Sequence, residues 1–271
     1  MEKRIHLYRY LAITFCLFLT VTSGYAQVTD EKFTPHSGQE GKDVVWVPTP
    51  QALVDTMLAM ANVTSADFVM DLGSGDGRLV ITAAKRGATA LGIEYNPNMV
   101  ELARQNAKEE GVSAKATFRQ ADIFETDFSK ATVITLFLLS DLNLRLRPTI
   151  LEMKPGTRIV SNTFTMSDWE PDQTSNLDLS EYSSWSTAHL WIVPAKVDGN
   201  WKLDGGQIVF NQKFQFVTGT LTIGGKETQL SGKLNGDKIS FNAGGTEYTG
   251  TVSGNAISGT RAGGGSWKAS R

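Results

Sequence analysis

Between Val69 and Val80 the chain reads VMDLGSGDGRLV, an apolar strand running into Gly73, Gly75 and Gly77 with a helix leaving them. Glycines at alternate positions remove side chains where a ligand approaches the backbone, and the amino end of a helix presents N–H groups without intrahelical partners. That is the construction of a nucleotide-type site, with Ser74 as a further lining residue. Glu94 closes the next strand at the separation, roughly twenty residues, where a carboxylate accepts both hydroxyls of a ribose. Asp122 ends the stretch Arg119-Gln120-Ala121-Asp122 at the same edge of the expected sheet. Three carboxylates, Asp71, Glu94 and Asp122, then ring one crevice.

Asp71 decides what that crevice takes. A dinucleotide site of the G-x-G-x-x-G kind must hold a pyrophosphate, which a carboxylate just before the glycines repels. The same carboxylate suits a cationic amino-acid moiety such as that of S-adenosylmethionine, which carries an ammonium and a sulfonium but no phosphate. With Asp71-x-Gly73-x-Gly75-x-Gly77 and the acid after the second strand, the chain resembles the class I methyltransferases. The resemblance implies S-adenosylmethionine as cofactor, with Asp71, Gly73 and Gly75 at its methionine end, Glu94 at the ribose, and Asp122 with Ile123 at the adenine. From the residues alone, a dehydrogenase and a plain α/β domain with a tight glycine turn stay as alternatives.

A narrower resemblance rests on WVPTP at 46–50, MLAMANV at 57–63, the segment from Asp71 to Pro97, and LRPTILEMKPGTRIVS at 146–161. These are similar to bacterial relatives of the mitochondrial lysine methyltransferases that modify the c-ring protein of ATP synthase and the adenine nucleotide translocase. The likeness spans roughly residues 44–195. It implies a protein lysine as acceptor, reached by in-line methyl transfer to a neutral amine. On this analogy Thr49 and Pro50 close over the cofactor or frame the acceptor, and a Pro-stiffened lead into the first helix is the plain alternative. The fourth strand ends in Leu139-Ser140-Asp141-Leu142, without the Pro-Pro-aromatic run typical of enzymes that methylate base amino groups, so a nucleic-acid acceptor is disfavoured. Asp141 is a candidate for recruiting and positioning the amine, with Thr49 a second candidate at the reacting centre. Trp169, Tyr182 and Trp185 are candidates for the walls of an acceptor pocket, or simply for packing. His189, beside Leu190 and Trp191, reads as a hydrogen-bonded structural histidine.

These groups need a scaffold. Apolar β-rich runs alternate with helical patterns up to Pro194, the signature of a parallel sheet. Strands are expected at Phe68–Leu72, 90–94, 116–120, 132–139 and 158–164, with helices at 77–86, 97–110 and 142–153 and a closing antiparallel pair around Leu177 and His189–Val193. All eight prolines lie at or before Pro194, while 16 of the 26 glycines fall in residues 198–271. There the pattern becomes short alternating stretches between Gly-Gly and Asn-Gly turns, an antiparallel β-meander closing as a barrel or sandwich. Gly232, Gly236, Ile239 and Ser240 recur eighteen residues on as Gly250, Gly254, Ile257 and Ser258. The expected class is α/β, a Rossmann-like sheet with helices on both faces over 67–197, a lead-in at 27–66, and a small all-β domain at 198–271.

A net charge of −2 argues against a protein that derives its main affinity from wrapping nucleic-acid phosphates. One cysteine and three histidines exclude a disulfide framework and a Cys/His zinc site, and no metal is expected. Residues 1–26 read as a targeting segment, with Lys3, Arg4 and Arg9 before an apolar run from Leu11 to Thr22 and small residues after it. The run is shorter than the ~20 residues of a membrane span, so a cleaved signal is expected, or else an anchor through 11–22; either delivers the chain across the membrane. Export conflicts with a cofactor made in the cytoplasm. The rival to the enzyme is therefore an exported binding module on the same fold, and a small-molecule acceptor also fits the motif.

Overall fold

The computed structural model describes residues 33–178 and 183–271; the targeting segment and Tyr182 lie outside them. Helix α1 (Gln51–Met60) precedes an alternation of β1 (Phe68–Leu72), α2 (Arg78–Lys85), β2 (Thr89–Glu94), α3 (Pro97–Glu109), β3 (Ala116–Gln120), β4 (Val133–Leu136), α4 (Ser140–Leu151) and β5 (Arg158–Asn162). Two further strands follow, β6 (Gln173–Asn176) and β7 (Thr187–Ile192). The sheet runs β3-β2-β1-β4-β5-β7-β6, parallel through β5, with β7 antiparallel to both β5 and β6.

Alternation along each strand assigns the two faces. Val69, Ala90, Val133 and Val160 meet Leu53, Met57, Val80, Ala84 and Val100 of α1, α2 and α3. Met70, Leu72, Ile134 and Ile159 meet Leu142, Leu146 and Ile150 of α4 on the other face. Local signals hold the ends: Asn96 caps α3 by accepting from the Asn98 N–H at 2.9 Å, with Pro97 at its first position. Gly111 follows at φ 69, a left-handed residue where a glycine carries no Cβ penalty.

Two strands stop short of their expected ends. In β4, Leu136 pairs with Leu72 and Ser161; β1 then turns away into the glycine loop, and β5 runs only one residue further, to Asn162, paired with β7 instead. In β5 the chain turns at Thr163, whose φ of 60 is left-handed. Both early exits deliver side chains to the crevice at the carboxyl ends of the strands, where open α/β sheets bind ligands.

At the opposite end, Asp67 is tied into the sheet by the Thr64 N–H (2.8 Å), the Thr132 hydroxyl (2.7 Å) and the Arg158 guanidinium. Burial pushes this carboxyl up, but the Thr64, Thr132 and Arg158 contacts together hold it below the usual range. A depressed carboxylate contributes stability above its unfolded value and loses it as pH falls through the folded one. Asp67→Asn is expected to cost about 2 kcal/mol near neutrality by urea unfolding, with the difference from wild type shrinking below pH 4; equal stability at both pH values contradicts the assignment.

The remaining strands are β8 (Gly199–Leu203), β9 (Gly206–Lys213), β10 (Phe216–Ile223), β11 (Lys226–Asn235), β12 (Lys238–Ala243), β13 (Thr246–Ser253), β14 (Ala256–Arg261) and β15 (Ser266–Ser270). They close as an antiparallel barrel, β15 pairing with β8. Closure leaves the barrel no exposed sheet edge. Trp201, Phe210, Phe241, Tyr248 and Trp267 fill the interior, with Phe241 stacked on Tyr248 at 4.9 Å. The internal repeat corresponds to the β11–β12 and β13–β14 hairpins, with Gly236 and Gly254 at their turns with φ 59 and 56. The barrel abuts the sheet domain through Phe214, whose ring lies on Trp169 at 5.8 Å, and through Gln215, whose amide donates to the Glu170 carbonyl at 2.7 Å.

Candidate functional site

The glycine loop leaves β1 with Gly73, Gly75 and Gly77 all at positive φ. The N–H groups of Gly73 and Ser74 are held by the Ile93 carbonyl at 2.8 and 3.0 Å, fixing the loop to the end of β2. The three glycines do different work. Gly73 lines the crevice. Gly75, expected at the cofactor, is not in the lining: it passes beneath Trp46, whose Nε1 lies 2.5 Å from where a Cβ would stand. Gly77, expected to bind cofactor, is absent from the lining: a Cβ there would meet the Phe118 ring at 2.7 Å and Ala103 at 2.9 Å, so its smallness serves close packing of helix on sheet.

The crevice is about 450 Å³, a size typical of small-molecule sites, and is lined by Asp71, Gly73, Ser74, Glu94, Asp122 and Ile123 among the expected residues. Asp71 is buried at its floor and accepts the Thr135 hydroxyl at 2.6 Å. Desolvation, reinforced by the neighbouring charges of Glu94 and Asp76, raises its carboxyl to about 7 against the lowering effect of Thr135. Asp71 forms no ion pair among the described residues, so the floor has an uncompensated site for a cation. Glu94 accepts the Gly75 N–H through one oxygen (3.0 Å) and the Asn96 N–H through the other (2.9 Å). Each oxygen keeps a lone pair for a hydroxyl. Ser74 Oγ is buried with no partner among the described residues, a further group facing the crevice.

A strap formed by residues 36–48 covers one end. Gly38 and Trp46 are joined by the Gly38 N–H to Trp46 carbonyl bond at 2.8 Å, and the Trp46 N–H returns to the Gln39 carbonyl at 2.9 Å. Lys42 pairs with Asp122 and lies over the Tyr95 ring at 4.8 Å. The Lys42 hydrogen bond, with the Phe124 N–H, holds the Asp122 carboxyl low. Arg78, paired with Asp76 of the glycine loop, donates to the Thr49 carbonyl at 2.7 Å. Thr49 is buried and lines the crevice. Pro50 does not: it caps α1, and Pro48 lines the cavity instead.

At the other end, Phe137, Phe164 and Trp185 form a mutual aromatic cluster with centroids 5.6 to 6.1 Å apart. Only Trp185 was expected from the sequence. Phe137 reads as part of a buried strand, and its exposure to the crevice follows from the early end of β4. Trp169 is corrected: it is fully buried between Trp191 and Phe214, on the face that carries the barrel. Asp141 is corrected as well. It is exposed in the first turn of α4, where a carboxylate complements the helix dipole, while Leu139 and Leu142 line the crevice. Trp46, Met99 and Asn162 are further residues the sequence did not single out. His189 accepts or donates at the Thr174 hydroxyl (2.9 Å) and is held low by burial. No group of three or more metal-ligating side chains occurs among the described residues.

A sheet in this order, parallel through β5 and closed by an antiparallel β7, a glycine loop over a buried acid, and a ribose-spaced glutamate define an S-adenosylmethionine-dependent methyltransferase. Known proteins agree with that class. Residues 71–173 match the model of the ANTKMT methyltransferase domain. A protein-lysine N-methyltransferase of Saccharolobus islandicus is 39% identical over 153 residues, covering 55% of this chain and 94% of the relative. The human lysine N-methyltransferase of the ATP synthase c-ring protein is 33% identical over 131 residues, 48% of this chain and 56% of the relative. A solved RNA methyltransferase from Salinibacter ruber with S-adenosyl-L-homocysteine is 47% identical, with a TM-score of 0.52, covering 56% of this chain and 96% of that one. The chain belongs to the ANTKMT-type methyltransferase family. It spans nearly all of the Saccharolobus relative but little more than half of the human enzyme, and the barrel lies beyond the matched domain.

Proposed function

We propose that this enzyme methylates the ε-amine of a protein lysine. The observation that carries the reading is the aromatic cluster of Phe137, Phe164 and Trp185 opening into a crevice with six carboxylates (Glu40, Asp43, Asp71, Asp76, Glu94 and Asp122) against two basic residues, Lys42 and Arg78. The carboxylates draw in a cationic amine and repel a phosphate backbone, which favours lysine over the RNA named for the Salinibacter structure. Aromatic faces then receive the ammonium and remove its water. Desolvation lowers the amine's pKa, so the nitrogen reaches the reacting centre with its lone pair free.

S-adenosylmethionine, when bound, supplies an electrophilic methyl group: the nitrogen lone pair forms the new N–C bond while the C–S pair leaves with sulfur. The chain's own residues supply alignment. Asp71 with the Gly73 and Ser74 backbone suits the amino-acid end, Glu94 the ribose hydroxyls, and Asp122 with Ile123 the adenine. Asp122 is shared with Lys42 of the strap, so cofactor and strap meet on that carboxylate. In-line transfer depends chiefly on proximity and exclusion of water, and needs no acid–base dyad.

The test is a radiolabelled methyl-transfer assay on lysine-bearing proteins and on RNA in parallel. Label in lysine supports the reading; label in RNA alone defeats it. Trp185→Ala is expected to raise the KM for the lysine substrate about tenfold, the ~1.4 kcal/mol of one aromatic–cation contact, with the Kd for S-adenosylhomocysteine unchanged. A weakened Kd with an unchanged KM places Trp185 at the cofactor instead.

We also propose that residues 1–26 direct the chain to the membrane or across it, the acceptor then being a membrane or envelope protein. Fractionation of cells expressing the full chain checks this, and recovery in the cytosol with an intact amino terminus opposes it. Among the described residues no helix is long and apolar enough to cross a membrane.

A further inference from the structure

Asn162 ends β5, is fully buried, and lies just outside the crevice lining. Its Nδ2 donates to the Thr49 hydroxyl at 3.3 Å, and its Oδ1 accepts the Thr163 hydroxyl at 2.8 Å. Each contact leads to a different end of the site. Thr49 follows directly on the strap in sequence, and its backbone carbonyl accepts from Arg78, which pairs with Asp76 in the glycine loop. Through Thr163 the path reaches the aromatic cluster. The Thr163 N–H donates to the Thr187 carbonyl at 2.7 Å, two residues beyond Trp185, and the next residue is Phe164, whose own N–H folds back to the Asn162 carbonyl at 2.7 Å. Asn143, also fully buried, secures the far side of the turn by donating to the Phe164 carbonyl at 3.2 Å.

Thr163 itself is β-branched and held at φ 60, a conformation such residues rarely adopt. Strain of this kind persists where surrounding contacts over-determine it, and it gathers at functional sites. Here it lets Phe164 leave the sheet just after β5 and join Phe137 and Trp185.

We propose that Asn162 is a positioning residue that couples the strap over the cofactor to the aromatic wall, so that closing one end of the crevice orders the other. The inference rests on the crevice binding S-adenosylmethionine and is independent of which acceptor is used.

Hydrogen exchange with S-adenosylhomocysteine as the probe tests it. In the wild type, ligand is expected to slow exchange about tenfold both at Gly38 and Trp46 of the strap and at Thr163 and Phe164. In Asn162→Leu the strap keeps its protection and residues 163–164 lose theirs. Thr49→Val, which removes only one hydroxyl from the path and leaves β5 untouched, is expected to do the same and decides the matter if the leucine variant fails to fold. Asn162→Asp accepts from both threonine hydroxyls and retains the coupling. In the double variant the changes in Kd for S-adenosylhomocysteine combine to no more than the larger single effect. The proposal is overturned if ligand leaves residues 163–164 unaffected in the wild type, if Asn162→Leu is protected like the wild type, if Asn162→Asp behaves as Asn162→Leu, or if the two effects add. A failure to methylate lysine alters none of these readings.

Discussion

Glu94→Ala is expected to lose at least ~100-fold in affinity for S-adenosylhomocysteine, about 2.7 kcal/mol. The side chain has two tasks. Its oxygens accept the N–H groups of Gly75 and Asn96, which fixes the glycine loop against the end of β2, and their remaining lone pairs face the crevice where a ribose diol would lie. Hydrogen bonds to a charged acceptor contribute roughly 1.5–3 kcal/mol each, so removing the carboxylate costs the ligand contacts and loosens the loop together. Glu94→Gln keeps one acceptor oxygen and is expected to lose about tenfold. Calorimetry reads both. An alanine variant that binds like the wild type, while folded, removes Glu94 from the cofactor site.

The second large effect concerns Asp71 and has opposite signs for stability and for binding. Burial, with Glu94 and Asp76 nearby, lifts its carboxyl from 3.8 to about 7 in the folded chain. A folded value above the unfolded one means that the native state retains a proton the unfolded state has lost. Asp71's contribution to stability therefore falls as pH rises from about 4 to 7 and is flat above, a cost of order 4 kcal/mol at neutral pH and higher. Asp71→Asn removes that cost, so the ligand-free variant is expected to melt several degrees above the wild type at pH 8 and no higher than the wild type at pH 4. Binding moves the other way. The charged carboxylate is the partner for a ligand ammonium, so wild-type affinity for S-adenosylhomocysteine is expected to rise between pH 5.5 and 7.5 and then level. The asparagine variant shows a flat profile and, at pH 8, roughly 30-fold weaker binding, about 2 kcal/mol. Parallel pH profiles for the two proteins would show that Asp71 does not meet the ligand's charge.

Much of the glycine-loop end of the crevice was legible because it is encoded by contiguous sequence. A left-handed turn requires glycine at fixed spacing, and a carboxylate at the end of the next parallel strand must fall near that turn. Asp71, Gly73, Ser74 and Glu94 could thus be placed without knowing how the sheet packs. Gly77 was legible as a glycine, but the packing it permits was not, because its neighbour Phe118 is a residue of β3 about forty positions away in sequence. The acceptor end was mostly hidden. Phe137 has the composition of a central strand, and it loses its ladder partners only because β1 departs and β5 stops pairing with β4 at Ser161. Trp169 and Trp185 look alike in sequence, yet one is core beneath the barrel and the other is wall, because the first packs on Trp191 and Phe214 and the second on Phe137 and Phe164.

The sequence by itself determined the order of strands and helices, the change to a glycine-rich β-meander after Pro194, and the acid-and-glycine motif of an S-adenosylmethionine enzyme, since each depends on periodicity or on spacing within one βαβ unit. Tertiary structure alone decided that the meander closes as a filled barrel seated on Trp169, away from the crevice, that the strap brings Trp46 over Gly75 and Lys42 to Asp122, and that Asn162 joins Thr49 to Thr163. Lys42 and Asp122 stand 80 positions apart and Thr49 and Asn162 113, separations across which no local pattern carries information. Such contacts depend on where strands stop pairing and which surfaces then meet.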